Sequence, residues 1–271
     1  MSWDMKCWDL FYKFYWSLPH IGMKADRPTE SGINDGVKRY VRSHSIDQTS
    51  ERLNGDEDIL NFFLDIFLSI APDRIIHRLL VSHLISDDGG PFRSLGFREC
   101  ASRYKWGHAN VTQPDGFIVS EKSLICVEIK LNAPTSRDQV LKYAGMCLLE
   151  ESLSGPRQNI GLIYVVPPKR APAIIQTIGG RPGQIGGYWI DVSTSQLKGF
   201  ARKLHTERSE EFRSVLDRMT ITVVSWQDVY QGLKDEIATL DPLSPQDQTL
   251  YRLLNGFMNQ LQRHKNTGIE I

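Results

Sequence analysis

The sequence lacks any close group of cysteines. Its cysteines are separated by at least 21 residues and are Cys7, Cys100, Cys126 and Cys147. This spacing excludes a CxxC metal knuckle and a dense disulfide framework. We therefore expect buried free thiols in a reducing compartment.

Net charge and long apolar runs are also missing. The 32 lysines and arginines balance the 32 aspartates and glutamates, so any binding of nucleic acid must use local patches and not an overall positive field. The most apolar internal run, residues 59–70, is too short to span a bilayer and contains Asn61 and Asp65. Charged residues interrupt the apolar N-terminal stretch, which argues against a secretory signal. We expect a cytoplasmic protein without a membrane partner.

The sequence does contain enough apolar material for a folded core. Of its 271 residues, 41% are hydrophobic and 24% are charged, which is ordinary for soluble globular proteins. We divide the chain into three parts. Residues 1–50 form an N-terminal aromatic helix and polar linker, residues 51–240 form the main domain, and residues 241–271 form a C-terminal helix that packs on this domain.

An aromatic stripe marks the N-terminal segment. Its residues recur at the spacing of one face of an amphipathic helix and are Trp8, Phe11, Tyr12, Tyr15 and Trp16. We expect this face to pack on the main domain or on another copy of the chain in a homodimer. Docking on a partner protein or on a membrane surface is the alternative.

Hydrophobic periodicity and turn residues predict an α/β chain in which two helices precede the first strands. Predicted helices cover residues 56–70, 73–86, 196–218, 226–239 and 245–265, and another begins near residue 136. Predicted strands cover residues 95–104, 113–120, 124–131, 160–166, 188–192 and 220–225. Residues 179–187 contain five glycines and are expected to form a mobile loop. This order of elements indicates a mixed β-sheet with a helical crossover and helices on both faces.

Polar side chains at the ends of two predicted strands carry the chemical signal. Glu128 and Lys130 are two residues apart, so they share one face of a strand. A hairpin between the two strands brings Asp115 towards them. Two carboxylates make a hard oxygen site for Mg²⁺, or for Mn²⁺, and the carbonyl of Ile129 is a plausible third ligand. A bound cation there would activate water, with an ammonium beside it to orient that water.

The fuller pattern resembles the PD-(D/E)XK nuclease superfamily. Pro114-Asp115 supplies the Pro-Asp element, Glu128-Ile129-Lys130 supplies the acid-x-Lys strand end, and a helix follows from Ser136. Gln139 and Tyr143 also match the QxxxY motif of the branch that contains helicase-associated exonuclease domains and CRISPR-associated exonucleases. The resemblance implies a restriction-endonuclease-like core with an N-terminal helical extension and C-terminal helices.

The resemblance also implies roles for individual residues. Asp115 and Glu128 would bind the metal, and Lys130 would assist the attacking water. Gln139 and Tyr143 would position substrate or metal-bound water.

The family often adds an acid from the first helix. Glu57 is the candidate here, with Asp58 and Glu51 as competitors, and stabilisation of the helix N-terminus by acids is an equally good explanation of Glu57.

Gln139 has a second interpretation. Ser136-x-x-Gln139 fits a helix capping box, in which the Gln139 side chain would only bond back to the Ser136 amide. Basic residues near the glycine-rich stretch, Lys169, Arg170 and Arg181, are candidates for contacts to phosphates.

These observations predict a Mg²⁺-dependent nuclease that acts on DNA, in prokaryotic defence or in a mobile element. One alternative is a catalytically silent, nuclease-like module that binds nucleic acid or protein. The other is an enzyme that uses the same centre to cleave transposon ends or junctions.

Overall fold

Alternating apolar residues form a mixed sheet at the centre of the protein. The structure, a computed structural model, describes residues 3–7, 57–86, 90–106, 109–178 and 199–270. Within these residues it is an α/β fold whose five-stranded sheet has the order β1-β4-β5-β6-β7. The strands of the sheet are β1 (Arg93–Leu95), β4 (Gly116–Val119), β5 (Ser123–Ile129), β6 (Asn159–Val166) and β7 (Met219–Ser225). A separate small ribbon is formed by β2 (Lys105–Trp106) and β3 (Ala109–Asn110).

The direction of the strands determines which edge of the sheet collects polar residues. β4 is antiparallel to β1 and to β5, whereas β5, β6 and β7 run parallel. The carboxyl ends of the three parallel strands and the amino end of β4 therefore meet at the same edge of the sheet. Asp115 immediately precedes β4, and Lys130 immediately follows β5.

Helices cover both faces of this sheet. The helices before the crossover are α1 (Glu57–Ile70), α2 (Asp73–Leu79) and α3 (Phe97–Arg103). The crossover between β5 and β6 contains α4 (Arg137–Ser154), and the helices that follow are α5 (Ala171–Ile178), α6 (Gly199–Glu207), α7 (Ser209–Arg218), α8 (Trp226–Ala238) and α9 (Pro245–Arg263). In the described part of the chain, no helix combines the length and the apolar character needed to cross a membrane.

The core is divided into two clusters by the sheet. Leu124 and Cys126 of β5 belong to the cluster under α4, and Ile125, Val127 and Ile129 belong to the cluster under α1 and α9. This alternation is the expected pleat of a strand buried on both faces. Glu128 and Lys130 continue the α4 face because they follow Cys126 at intervals of two residues.

One predicted strand is wrong. Residues 95–104 form the end of β1 and then α3, not a strand. Cys100 and Tyr104 are both buried and lie one helical turn apart, so the apolar spacing in this short segment has the period of a helix and not of a strand.

Two predicted helices have different bounds in the structure. The helix predicted over residues 73–86 ends at Leu79 and is followed by a 3-10 turn over Val81–His83. The helix predicted over residues 196–218 is divided at Arg208 into α6 and α7. The other predicted elements within the described residues begin and end within three residues of the observed ones. The aromatic stripe, the glycine-rich stretch and the strand predicted at 188–192 lie outside the described residues.

The C-terminal helix α9 packs on α1. The rings of Phe67 and Phe257 stack with centroids 4.4 Å apart and an interplanar angle of 15°. Residues 3–7 are helical, and Trp3 in this segment contacts α9. The Trp3 indole donates a hydrogen bond to the Leu253 carbonyl at 3.1 Å, and Gly256 lies against the indole, where a larger residue would clash.

Replacing Phe257 by alanine tests this packing. The ring is fully buried, so its loss should reduce the free energy of unfolding by about 3–5 kcal/mol through lost contacts and a cavity. Urea unfolding monitored by circular dichroism measures the change. Tyr251→Ala is the control, since Tyr251 lies on the same helix and is exposed, and it should change stability by about 0.5 kcal/mol or less. Equal effects of the two substitutions would contradict the packing.

Candidate functional site

The candidate site is formed by residues from the end of β5, from α4 and from the segment just before β4. β5 delivers Glu128 and the following Lys130 on the face covered by α4, and α4 contributes Gln139 and Tyr143. Asp115 reaches the same edge from the start of β4, on the side covered by α1. The sequence prediction that Asp115, Glu128 and Lys130 lie close together agrees with these positions.

Glu128 is a buried carboxylate surrounded by donors. It is 4% exposed and forms an ion pair with Lys130, which is 8% exposed. The Gln139 side-chain amide and the Tyr143 hydroxyl also donate hydrogen bonds to the carboxylate, one to each oxygen. Burial of a charge is costly unless it is paired and hydrogen-bonded, so these three donors are what permit the Glu128 carboxylate to lie inside the protein.

Asp115 is held by a different set of donors. The backbone N–H of Ile129 donates to its Oδ2 at 2.6 Å, and the Asn61 side-chain amide donates to its Oδ1 at 2.6 Å. The first bond joins Asp115 to the backbone between Glu128 and Lys130. The carboxylate is therefore fixed in orientation against the end of β5 as well as against α1.

Glu57 reaches the same edge from the first turn of α1. Its Oε2 accepts a hydrogen bond at 2.8 Å from the N–H of Leu131, the residue after Lys130. Asp58 lies in the cleft beside Asp115, and Glu51 lies outside the described residues. Glu57 thus has a direct contact with the strand end that carries Lys130.

Burial raises the pKa values of the two acids at the centre of the site. Burial, together with the negative charge of Glu128, raises the pKa of Asp115 from 3.8 to about 8. The N–H of Ile129 and the charge of Lys130 oppose that shift, and Glu57 adds to it. Burial also raises the pKa of Glu128, against the ion pair with Lys130 and the hydrogen bonds. Both carboxyl groups thus hold their protons more strongly than they would in water.

Gln139 does not complete the predicted capping box, because its side chain bonds to Glu128 and not back to the Ser136 amide. Its backbone N–H donates to Ser136 Oγ at 3.3 Å, so Ser136 is the N-cap of α4. Its side chain turns to the site, where Nε2 donates to Glu128 and to the Tyr143 hydroxyl, the latter at 3.1 Å. The cap therefore uses the backbone of Gln139, and its side chain supports Glu128.

The loop between β5 and α4 is tied to neighbouring elements. Thr135 donates a hydrogen bond at 2.8 Å to the hydroxyl of Tyr164, and Tyr164 is the residue of β6 that pairs with Glu128. The Arg170 guanidinium, in a 3-10 turn after β6, donates to the Ala133 carbonyl at 3.2 Å. Arg170 therefore lies at the site's edge of the sheet.

The candidate phosphate contacts differ in their surroundings. Lys169 is exposed and Arg170 is half-buried. Arg170 Nη1 is buried and has no hydrogen-bond partner among the described residues. Arg181 lies outside the described residues. Arg170 thus retains a donor beside the loop that follows Lys130.

An acidic cleft opens beside Asp115. Its volume is about 450 Å³, within the range of roughly 300–1,000 Å³ common for small-molecule sites. The cleft lies between α1 and the segment before β4, and it is lined by Asp58, Asn61, Phe62, Asp65, Gln113, Pro114 and Asp115. It gives access from solvent to the Asp115 side of the site.

A divalent cation at this site would need carboxylate oxygens and neutral oxygens together as ligands. Within the described residues, no group of three or more histidine, cysteine, aspartate and glutamate side chains is arranged to hold a metal ion. A cation would therefore depend on Asp115, Glu128 and neutral oxygens such as the Ile129 carbonyl. Two observations favour such a fit: the raised pKa of Asp115 beside Glu128, and the buried Oδ1 of Asn61, which no donor among the described residues meets. Carboxylate and amide oxygens are the ligands that hard cations prefer.

Sequence reasoning did not identify Asn61 or Tyr164 as part of this region. The sequence does indicate a role for Asn61, because it is the one amide in the apolar helix α1. It also follows Glu57 by four residues, which places both side chains on one helix face. Nothing in the sequence indicates a role for Tyr164, since an aromatic residue in a buried strand is ordinary.

Comparisons of the chain with protein-family models, with curated proteins and with solved structures find no match.

The shifted pKa of Asp115 predicts how stability depends on pH. Between pH 3.8 and about 8 the unfolded chain has released this proton and the folded protein retains it, so the free energy of unfolding should fall as pH rises through this window. Urea unfolding in EDTA at a series of pH values measures the slope. Asp115→Asn removes the titrating group while keeping a similar shape, and its slope should be shallower. The same slope in both proteins would contradict the shift.

Proposed function

We propose that this protein is a Mg²⁺-dependent nuclease of the PD-(D/E)XK type that hydrolyses phosphodiester bonds in DNA. The observation that carries the proposal is the position of Asp115, Glu128 and Lys130 at one edge of the sheet, where Ile129 links the first residue to the other two. The central mixed sheet with its α4 crossover is compatible with a restriction-endonuclease-like core. The Gln139 and Tyr143 contacts to Glu128 are compatible with the QxxxY branch.

The proposed chemistry divides among the chain's own residues. Asp115 and Glu128, with the Ile129 carbonyl, would hold Mg²⁺, with Mn²⁺ as a substitute. A divalent cation bound there supplies Lewis acidity that stabilises negative charge on phosphate and lowers the pKa of water. Lys130 lies beside Glu128 and donates its ammonium protons to orient the attacking water or to meet the developing oxyanion.

Gln139 and Tyr143 act as positioning residues in this proposal. Both donate to Glu128, so they fix the direction of its oxygen atoms. Hydrogen bonds of this kind to metal-binding carboxylates commonly tune metal affinity and activity. Glu57 has a related role through the Leu131 N–H, since it fixes the backbone that carries Lys130.

DNA is the proposed substrate, with Lys169 and Arg170 as contacts to its backbone. Arg170 lies beside the loop after Lys130, so its positive charge would attract a backbone phosphate close to the proposed cleavage position. A cytoplasmic role in prokaryotic defence or in a mobile element suits such an activity. Cleavage of transposon ends or junctions would use the same residues on a different substrate.

A second function is favoured by one specific observation. Both oxygens of Glu128 accept hydrogen bonds from protein donors, so the carboxylate is satisfied without a cation. A catalytically silent module that binds nucleic acid would have this arrangement permanently. The two functions differ in whether Mg²⁺ brings about strand cleavage.

Substitutions at the site separate these functions. Asp115→Ala and Glu128→Ala should abolish Mg²⁺-dependent cleavage because each removes a metal ligand, and Lys130→Met should slow it on the order of 100-fold or more while Mn²⁺ binding persists. The assay uses linear, nicked, branched and single-stranded DNA, with Mn²⁺ binding measured by calorimetry.

Glu121→Ala and Lys122→Ala are the matched controls. These residues are exposed in the turn of the same hairpin, so their loss should leave cleavage unchanged. If purified Asp115→Ala and Glu128→Ala cleave as the wild type does, the proposal is wrong. If the folded wild type binds all four substrates and cleaves none in Mg²⁺, the silent module is favoured.

Gln139 and Ser136 should differ in their effect on the cleavage rate. Gln139→Ala removes a donor to Glu128 and should lower the cleavage rate by about 10- to 100-fold, and it should also lower the melting temperature because Glu128 is buried. Ser136→Ala removes the cap of α4 and should cost about 0.5–2 kcal/mol of stability with the rate preserved at a temperature where the protein is folded. A destabilised but fully active Gln139→Ala protein would show that this side chain stabilises the fold and does not contribute to cleavage.

A further inference from the structure

Asn61 occupies a distinctive place in the most apolar helix near the site. α1 buries six side chains along one face and carries Glu57 in its first turn. Asn61 follows one helical turn later, so both side chains are directed to the same edge of the sheet. An amide at this place in an apolar helix needs polar partners, because burying it without hydrogen bonds is unfavourable.

Only one end of this amide has such a partner. The Nδ2 atom donates to Asp115 at 2.6 Å. The Oδ1 atom is buried, and no described residue donates to it. Buried side-chain oxygens are nearly always hydrogen-bonded, so an exception calls for an explanation such as a bound ion.

The chemistry of the surroundings indicates which kind of ligand would satisfy Asn61. Asp115 and Glu128 bring two carboxylates of like charge to one edge of the sheet, where the Ile129 N–H joins Asp115 to the end of β5. A further carboxylate would add to the repulsion between like charges, whereas an amide oxygen adds a ligand atom without a charge. Divalent cations such as Mg²⁺, Mn²⁺ and Ca²⁺ accept asparagine oxygens together with carboxylates. Since the Asn61 amide lies against Asp115, its oxygen would be close to a cation bound there.

We propose that Asn61 is a ligand of the divalent cation and binds it through the amide oxygen. The inference rests on the cation-dependent function proposed above. In this proposal, Asn61 is the residue of α1 that binds the metal. Glu57 instead holds the backbone of Leu131, with which it is hydrogen-bonded. The cleft beside Asp115, which Asn61 lines, is then the route by which the cation enters.

The test measures Mn²⁺ binding to the full chain by calorimetry, together with the melting temperature in EDTA and in Mn²⁺. Asn61→Leu removes the oxygen while keeping a side chain of similar size, and it should weaken Mn²⁺ binding about tenfold or more. Asn61→Asp keeps an oxygen in place. It should melt at a lower temperature than the wild type in EDTA, because it faces Asp115, and should recover in Mn²⁺ with affinity equal to or above that of the wild type.

Two controls separate a ligand from other effects. Gln113→Glu makes the same amide-to-carboxylate change elsewhere in the cleft, and it should raise Mn²⁺ affinity less than Asn61→Asp does. Asn255→Leu changes a half-buried asparagine on α9, a helix that contributes no residue to the site, and its Mn²⁺ affinity should equal that of the wild type.

Several outcomes would overturn the proposal. Unchanged affinity in Asn61→Leu would show that the oxygen is not a ligand. Loss of Mn²⁺ affinity in Asn61→Asp would show that Asn61 acts only as a hydrogen-bond donor to Asp115. An equal gain of Mn²⁺ affinity in Gln113→Glu would show that the added negative charge alone explains the effect. If Asn61→Leu does not fold, the Asn61→Asp titration against Gln113→Glu decides alone. A wild-type protein that binds no Mn²⁺ would overturn the proposed function and this inference together, whereas failure of the Asn61 variants alone leaves the proposed function intact.

Discussion

The buried carboxylate of Glu128 is the interaction on which the candidate site depends. Glu128 is almost inaccessible to solvent, so its charge must be balanced by Lys130 and by hydrogen bonds from α4. These partners come from the strand end and from the crossover helix. The start of α4 and the end of β5 are therefore fixed relative to each other by the same carboxylate that would bind a cation. Loss of one donor leaves a buried charge less well satisfied, which is more costly than loss of a surface ion pair.

Further contacts hold the end of β5 from the face of the sheet that α1 covers. Asp115 is held by the backbone of Ile129 and by Asn61, and Glu57 is held by the backbone of Leu131. The end of β5 thus receives side chains from α1 as well as from α4, and its backbone has little freedom to move. Such support from rigid elements is what a site needs to hold reacting groups in a fixed geometry. It follows that α1 is part of the site and not only a cover for the core.

The same contacts would make a bound cation compete with the protein's own donors. Asp115 has a pKa raised to about 8, so without a cation its proton offsets part of the negative charge beside Glu128. A divalent cation would replace that proton and would compete with Lys130 for Glu128. If the proposed cation binds here, its binding would release protons and depend on pH, as is general for sites made of ionisable ligands. A silent module would lack this exchange, although its contacts at rest would be the same.

The sequence by itself determined the local parts of this protein. Alternation in β5 placed Glu128 and Lys130 on one face, and the spacing of Ser136, Gln139 and Tyr143 predicted the start of α4 with one face towards the site. These features depend on residues close together in the chain, where periodicity and capping act. Only the tertiary structure decided the contacts of Asn61 with Asp115 and of Glu57 with Leu131, because these pairs are 54 and 74 residues apart and meet only when α1 packs across the sheet. It also decided that residues 97–103 form α3, since a short apolar segment can satisfy a strand or a helix until its neighbours determine which face is buried.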